Sequence, residues 1–552
     1  MDFVKNLLKN HEFIFVFIIF SFAFFIRVFN LLNIPYGFHM DELANTYIGR
    51  FIVMNGKDLY GNPWPLLYFN KFGDYPPVIP MYLSGFSSFV FGLNEFSARF
   101  PSALIGSLIV FPLFYFMKMN VSKKAGVIAA FLITILPWHV VLSRSSAEGI
   151  IALTVFMTGL TFLFKAIYEK KNAFFVYSSL LLISTYVLYP SFRLSVPLIL
   201  LGTPFFFAEN KVVKKGIYYV VIAAILFTFL IASTSWGKGR FIQTSLFSNR
   251  TDAIVIQNDL LQLANDEGHQ SALIARTFHN KAIGYGERLI EQYVTYFSPG
   301  FLLIKGGLPE RYSIPHLGLL YITSIFFLGF LLFPLKVSMN KNIYGYMYFF
   351  LFVVVVPSAI TVDDMPNMHR SLLMIIPLVF LLTIGILNAE KILSAYSSLI
   401  RKGYWMFIIG ILCVEVVYGT HQYYSHAGAL NAFLRTDGNK QLALYLKENR
   451  KSFSKVIVPF NDWMPLYYLF YTNDFNKKYI GHVPLEFRIP QIDNIFFVDR
   501  GCPSDAFVKL PKDVLIVDIG NCKEIDRYIK IGQLSRRDGT IAYRLLMSKE
   551  EK

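Results

Sequence analysis

The sequence predicts a polytopic α-helical membrane protein with a C-terminal α/β domain outside the membrane. Three observations predict it. Hydrophobic residues make up 55% of the 552 residues and charged residues only 16%, against about 25% charged in ordinary soluble domains. Mean hydropathy is +0.47. The apolar residues also gather into runs near the ~20 residues that a spanning helix needs. With 25 Pro, 35 Gly and 3 Cys, disordered, collagenous and disulfide-scaffold chains are excluded. The net charge of +16 comes without a nucleic-acid motif. Lys-rich cytoplasmic loops facing anionic lipid account for it.

The first apolar run covers about 12–32, behind Lys5 and Lys9. No small-residue cleavage site follows, so it reads as an uncleaved signal anchor. Further runs cover roughly 100–117, 125–142, 149–164, 174–189, 194–208, 216–234, 315–335, 343–361, 371–388 and 403–420, giving about eleven spans. A shorter run over 78–92 sits behind Tyr75-Pro76-Pro77. Charge decides its role. If it stays out of the membrane, Lys118, Lys123, Lys124, Lys165, Lys170, Lys171, Lys211, Lys214, Lys215, Lys336, Lys341 and Lys391 share the cytoplasmic side with the N-terminus. If it spans, the N-terminal lysines stand opposite all of these. The positive-inside rule selects the first topology, and 78–92 becomes a juxtamembrane helix.

That topology divides the chain into a membrane module, 1–420, and an extracytoplasmic α/β domain, 421–552. The module carries a first outer loop over 33–98 and a large outer loop over 235–314. The tail shows a helical stretch at Asn439–Asn449 and strand-like runs at Val456–Pro459, Ile495–Val498 and Val514–Val517. Cys502 and Cys522 lie in it, either as a bridge or as two thiols.

Polar residues at membrane depth are costly and mark functional sites. Here they gather at the outer ends of the spans: Asp41-Glu42, Asp74, Arg144 and Glu148, Tyr189 and Arg193, Arg311 and His316, and Asp363-Asp364 with His369-Arg370. A transporter should carry ionisable groups near mid-span and show inverted repeats. This chain shows neither, which favours an enzyme over a lipid-linked glycan flippase. A polysaccharide polymerase or ligase is the other alternative, but the richest motif lies in the first loop rather than in a late one.

The Asp41-Glu42 pair after the first span, Asp74-Tyr75-Pro76-Pro77, the stretch Asn94-Glu95-Phe96-Ser97-Ala98-Arg99-Phe100-Pro101-Ser102 and His369-Arg370 resemble the GT-C glycosyltransferases. The resemblance is to glycosyltransferase family 39, with its dolichyl-phosphate-mannose protein mannosyltransferases and lipid A aminoarabinose transferases. It covers about 12–390. It implies a GT-C bundle with juxtamembrane helices in the first outer loop. It also implies an inverting transfer of a hexose or pentose from a polyprenyl-phosphate donor to an acceptor hydroxyl. The acceptor would be a glycan, lipid or protein, met at the outer face of a bacterial or archaeal cytoplasmic membrane.

Such a transfer needs one carboxylate base and cations aimed at the leaving phosphate. Asp41 matches the family's loop-one acid and is assigned as the base, with a helix N-cap as its structural alternative. Glu42 and Asp74 are assigned to donor or acceptor. Arg144, Arg193, Arg311 and Arg370 are the phosphate candidates, because the guanidinium fork binds oxygens bidentately; their alternative is interfacial anchoring. Tyr189, Glu148, His316 and His369 complete the candidate substrate contacts. Tyr75 stands where relatives carry a Lys, and Lys71 is the nearest substitute. A divalent-metal reading of Asp363-Asp364 lacks partner ligands, so no cofactor is assigned.

The topology has a direct test. Membrane-impermeant labelling of single cysteines should modify positions near 270 well and positions near 120 poorly; the reverse at either loop refutes it.

Overall fold

In the computed structural model, the described residues are 11–69, 71, 75–234, 236–237, 242, 245–247, 256–263, 273, 277–461, 463–481, 489–507 and 511–549. They form two compact units. The first comprises 1–26, 105–142 and 148–419; the second comprises 27–104, 143–147 and 420–552. The sequence reading placed the first outer loop with the membrane module. In the structure it groups with the tail.

The first unit is helical. Among the described residues, six helices are long and apolar enough to cross a membrane: Glu95–Asn120, Glu148–Glu169, Lys211–Ser233, Lys341–Ala359, Leu372–Leu393 and Ser398–Leu430. A seventh span arises if Lys123–Ile135 and Pro137–Ser143, bent by 57°, count as one. The missing N–H of Pro137 accounts for the break. Asn172–Val187 and Phe192–Phe207 are shorter apolar helices, and His11–Val28 covers the expected first span. The expected run 315–335 contains only the short helix Ser324–Gly329 and a single 3-10 turn. Length and composition therefore qualify fewer than the eleven spans expected.

Side-chain caps start several of these helices. Ser122 accepts from Ala125 N–H, and Asn210 from Val213 N–H, which satisfies donors that have no intrahelical partner. Leu372–Leu393 is 94% buried and Ser398–Leu430 only 11% over their apolar windows. A helix apolar all round belongs inside protein or against lipid; the first case fits Leu372–Leu393 and the second Ser398–Leu430.

The second unit is built on a six-stranded mixed sheet. Its strands are β1 (Lys455–Pro459), β2 (Gln491–Ile492), β3 (Ile495–Val498), β4 (Val514–Ile519), β5 (Tyr528–Ser535) and β6 (Ile541–Ser548). Their order is β2-β3-β1-β4-β6-β5. β1 pairs in parallel with β3 and β4, and β6 pairs antiparallel with β4 and β5. The expected helix Asn439–Asn449 and the strands over 456–459, 495–498 and 514–517 are present. Cys502 and Cys522 are disulfide-bonded, with Cα atoms 5.6 Å apart. The bridge ties the loop after β3 to the loop after β4.

The first outer loop supplies two helices to this unit. Met40–Asn55 buries Leu43, Ala44, Tyr47, Ile48, Phe51 and Ile52 in one core with Leu442, Leu446, Leu466, Leu469, Val456 and Leu515. The i, i+1, i+4, i+5, i+8, i+9 spacing is one helical face. Gly56, left-handed at φ 68°, ends this helix. The second helix, Ile79–Phe91, has 13 residues, about 20 Å at 1.5 Å per residue, which is too short to span. It crosses Met40–Asn55 at backbone contact: a Cβ on Gly49 would lie 2.0 Å from Met81 O, and one on Gly85 would lie 2.5 Å from Gly49 C.

Gly85→Ala should therefore destabilise the protein by roughly 1–3 kcal/mol. Gly403→Ala, where nothing lies within 4 Å, should be neutral or stabilising by up to ~1 kcal/mol. Thermal unfolding of the two variants checks the contrast.

Candidate active site

In the second unit, the chemistry begins at the N-terminus of helix Met40–Asn55. His39, not Asp41, is its N-cap, and His39 Nδ1 accepts the Asp41 N–H at 3.2 Å. The N-cap position, the structural alternative for Asp41, is therefore taken by His39, and the Asp41 carboxylate is left to other contacts. Lys71 Nζ donates to Asp41 Oδ1 at 2.9 Å, and His39 Nδ1 lies 3.3 Å from Oδ2. Lys71 is 7% exposed while Asp41 keeps 39%. The Lys71 ammonium also lies 6.0 Å from the centre of the Trp463 ring, within cation–π range. Burial opposes ionisation of Asp41, but the Lys71 charge holds its carboxyl well below the usual carboxylate range.

Glu42, the next residue, is 1% exposed. Arg99 Nε donates to its Oε2 at 3.0 Å and Arg435 donates to its Oε1 at 2.9 Å. Burial raises the carboxyl and the two guanidiniums outweigh it, so Glu42 lies below its ordinary value. Arg99 further donates to Leu31 O and Gly37 O, and Arg435 to Tyr36 O. Both oxygens of Glu42 thus serve an internal ion triad.

Arg144 is fully buried and donates to Arg27 O and Ile34 O, beside the rings of Tyr423 and Tyr424. Its fork holds the start of the first outer loop, where the sequence reading expected a phosphate ligand. Asp74 lies outside the described residues.

The first unit holds a cavity of about 330 Å³. Arg193, Arg370, Tyr189, Ser191, Thr228 and Thr361 line it together with apolar Leu194, Ile231, Pro357 and Ile360. Arg193 is fixed by a 3.0 Å bond from Nε to Tyr186 O and by stacking 4.0 Å from the Trp236 ring. Arg370 donates to Asp363 O at 2.8 Å and pairs with its carboxylate at 3.4 Å. The arrangement sets two guanidiniums beside an apolar wall, which suits an anion carried on a hydrocarbon.

Arg311 and His369 both pack on Tyr312, at 5.0 and 4.5 Å between centres, and neither lines this cavity. His316 is exposed in a turn at φ 57°. Glu148 opens helix Glu148–Glu169, where its charge favours the helix dipole. Among the described residues, no three His, Cys, Asp or Glu side chains converge on a metal position.

Sequence reasoning missed the pairing of Lys71 with Asp41, and it missed Arg99 and Arg435 as partners of Glu42. Arg99 sits inside a motif that was noted, but its partner Glu42 lies 57 residues away, beyond any helical spacing. Arg435 had no signal, since it lies in a tail without motifs.

Residues 74–236 match the dolichyl-phosphate-mannose-protein mannosyltransferase family. Among solved structures, ArnT from Cupriavidus metallidurans bound to undecaprenyl phosphate aligns over 96% of this chain and 97% of its own, at 11% identity and a TM-score of 0.50. The apo oligosaccharyltransferase of Archaeoglobus fulgidus aligns over 83% of this chain at 14% identity and a TM-score of 0.47. This chain spans only 64% of that archaeal chain. No curated protein matches the sequence. Over residues 74–236 the chain is thus similar to that family, and its fold is similar to that of the ArnT structure.

The Asp41–Lys71 pair gives a pH prediction. A depressed carboxyl contributes stability that is present above its unfolded value, near 3.9, and is lost as pH falls through the lower folded value. Lys71→Met removes the cation, so the Asp41 carboxyl should protonate at higher pH. Thermal unfolding of parent and variant between about pH 3 and 7 should show the variant less stable near pH 7 and losing less stability on acidification.

Proposed function

We propose that the chain transfers a monosaccharide, with inversion, from a polyprenyl-phosphate donor to an acceptor hydroxyl at the outer membrane face. The observation that carries this reading is the cavity that pairs Arg193 and Arg370 with an apolar wall. An isoprenoid chain fits apolar side chains, and its phosphate fits two fixed guanidiniums. The undecaprenyl phosphate held by the ArnT structure is a ligand of this chemistry.

In the proposed reaction Asp41 is the base. The acceptor O–H proton passes to an Asp41 oxygen as the acceptor oxygen attacks the anomeric carbon. The bond from that carbon to the phosphate oxygen breaks, and its electron pair leaves on polyprenyl phosphate. Arg193 and Arg370 stabilise the growing phosphate charge. A carboxylate held ionised by Lys71 is ready to accept the proton, and its partial exposure leaves room for an acceptor. Glu42 and Arg144 support the loop that carries Asp41, while Arg311, His369, Tyr189 and Glu148 remain substrate contacts in the proposal. One displacement at one carbon needs no second carboxylate as nucleophile.

Asp41→Asn should lower transfer by about a hundredfold or more, with donor binding nearly unchanged. Arg370→Ala and Arg193→Ala should weaken both rate and donor affinity. Transfer assays and polyprenyl-phosphate binding in nanodiscs check both. Near-parent transfer by Asp41→Asn would remove it as the base.

A further inference from the structure

The second unit contains a cleft of about 150 Å³ that the proposed reaction does not use. Its wall includes Glu95, Lys440, Asp437, Gln441, Tyr36 and Tyr467. Glu95 is 5% exposed, yet its two partners converge on one oxygen: Lys440 Nζ at 2.6 Å and Tyr471 O–H at 2.9 Å both reach Oε1. Among the described residues, Oε2 takes no hydrogen bond. Glu95 lines the cleft, so this oxygen can accept a hydrogen bond from a ligand there. Lys440 donates only to Glu95 among the described residues and is 45% exposed, so further N–H donors of its ammonium are open to the cleft.

Charge and backbone limit what fits. Asp437 binds the backbone N–H of Arg537, whose guanidinium lies 3.5 Å from the Tyr36 ring. Glu95 is paired with Lys440, and Asp437 is met by Arg537 N–H and the Gln441 amide, so neither carboxylate calls for a charged ligand and a neutral one fits. Thr436 holds φ 53° between Arg435 and Asp437, an outlier for a β-branched residue. Such strain collects at binding sites. The volume is below the ~300–1,000 Å³ of sites for drug-sized ligands and is room for roughly five waters. It admits one small ring and excludes an oligosaccharide or a polyprenyl chain.

We propose that this cleft binds one neutral pyranose unit through a vicinal diol. One hydroxyl donates to Glu95 Oε2, and its neighbour accepts from the Lys440 ammonium. Tyr36, Pro35 and Leu32 face the C–H surface of the ring. The inference rests on the proposed function only in assigning that unit to the acceptor glycan; the binding itself does not depend on it.

Saturation-transfer NMR on the full chain in nanodiscs tests it, with methyl gluco-, galacto- and mannopyranosides as probes. At least one should receive saturation on its ring protons. Its analogue lacking one hydroxyl of the diol should bind tenfold or more weakly to the parent protein. Glu95→Gln and Lys440→Met should show the same loss, and the half-exposed Lys440 keeps the test valid if Glu95→Gln fails to fold. Failure of all three pyranosides to bind, or parent-like binding by both variants, overturns the proposal. If pyranosides bind while no sugar is transferred, the proposed function fails and this inference stands. Transfer without pyranoside binding overturns this inference alone.

Discussion

The Glu42 carboxylate, buried between Arg99 and Arg435, is the constraint on which the second unit's chemistry depends. Removing one partner from a buried, fully paired charge typically costs about 3–5 kcal/mol, because the remaining charge is left in low dielectric. The triad therefore fixes one arrangement of three chain segments rather than merely adding stability. The two arginines also bind the carbonyls of Leu31, Tyr36 and Gly37, so the entry to helix Met40–Asn55 is held by the same groups. Successive helical residues differ in direction by about 100°. With Glu42 locked inward, Asp41 turns toward the accessible side, and the two adjacent acids end at 1% and 39% exposure. Their different roles follow from that rotation.

The two carboxylates also differ in how they are neutralised. Glu42 meets two guanidiniums whose planar forks are already spread over carbonyls, so none of the three can move alone. Asp41 meets an ammonium on a flexible stem, close to the Trp463 ring. A point charge with rotatable donors can exchange partners at lower cost than an engaged fork. The chain thus places its rigid cation pair where position matters and its adaptable cation beside the accessible acid. Arg144 extends the rigid set, donating to two backbone oxygens at the start of the first outer loop.

The parts of this fold that were legible in sequence have local causes. Helix Met40–Asn55 announces its end through Gly56, and the strands near 457, 496 and 516 read as short apolar runs because both faces of a parallel interior strand are covered. β5 was not legible because its pattern is inverted: Ile529 and Ile531 are 49% and 44% exposed while Tyr528 is buried, and the register slips beside Gly532. The run 315–335 is apolar enough to suggest a span, yet it folds as a short helix with turns, since composition carries no information on backbone path. Asp41 was singled out through its motif, while its contacts with Lys71 and His39 were not. Lys71 and Arg435 were not legible, because each acts across a distance of chain that no periodicity records.

The grouping of the first outer loop with the tail follows from surface. A stretch of about 66 residues, 33–98, is near the size at which a domain buries too little of its surface to be stable alone. Its principal helix carries Leu43, Tyr47, Ile48, Phe51 and Ile52 on one face, all of them fully buried. Each is worth about 1.5–3 kcal/mol removed from water. That face finds its cover in Leu442, Leu446, Leu466 and Leu469 of the tail, and the ion triad closes the same contact through Arg435. The tail carries no motif of its own for transfer chemistry. What it contributes is the other half of the core on which the Asp41 helix rests, so the first outer loop and the tail are one folding problem.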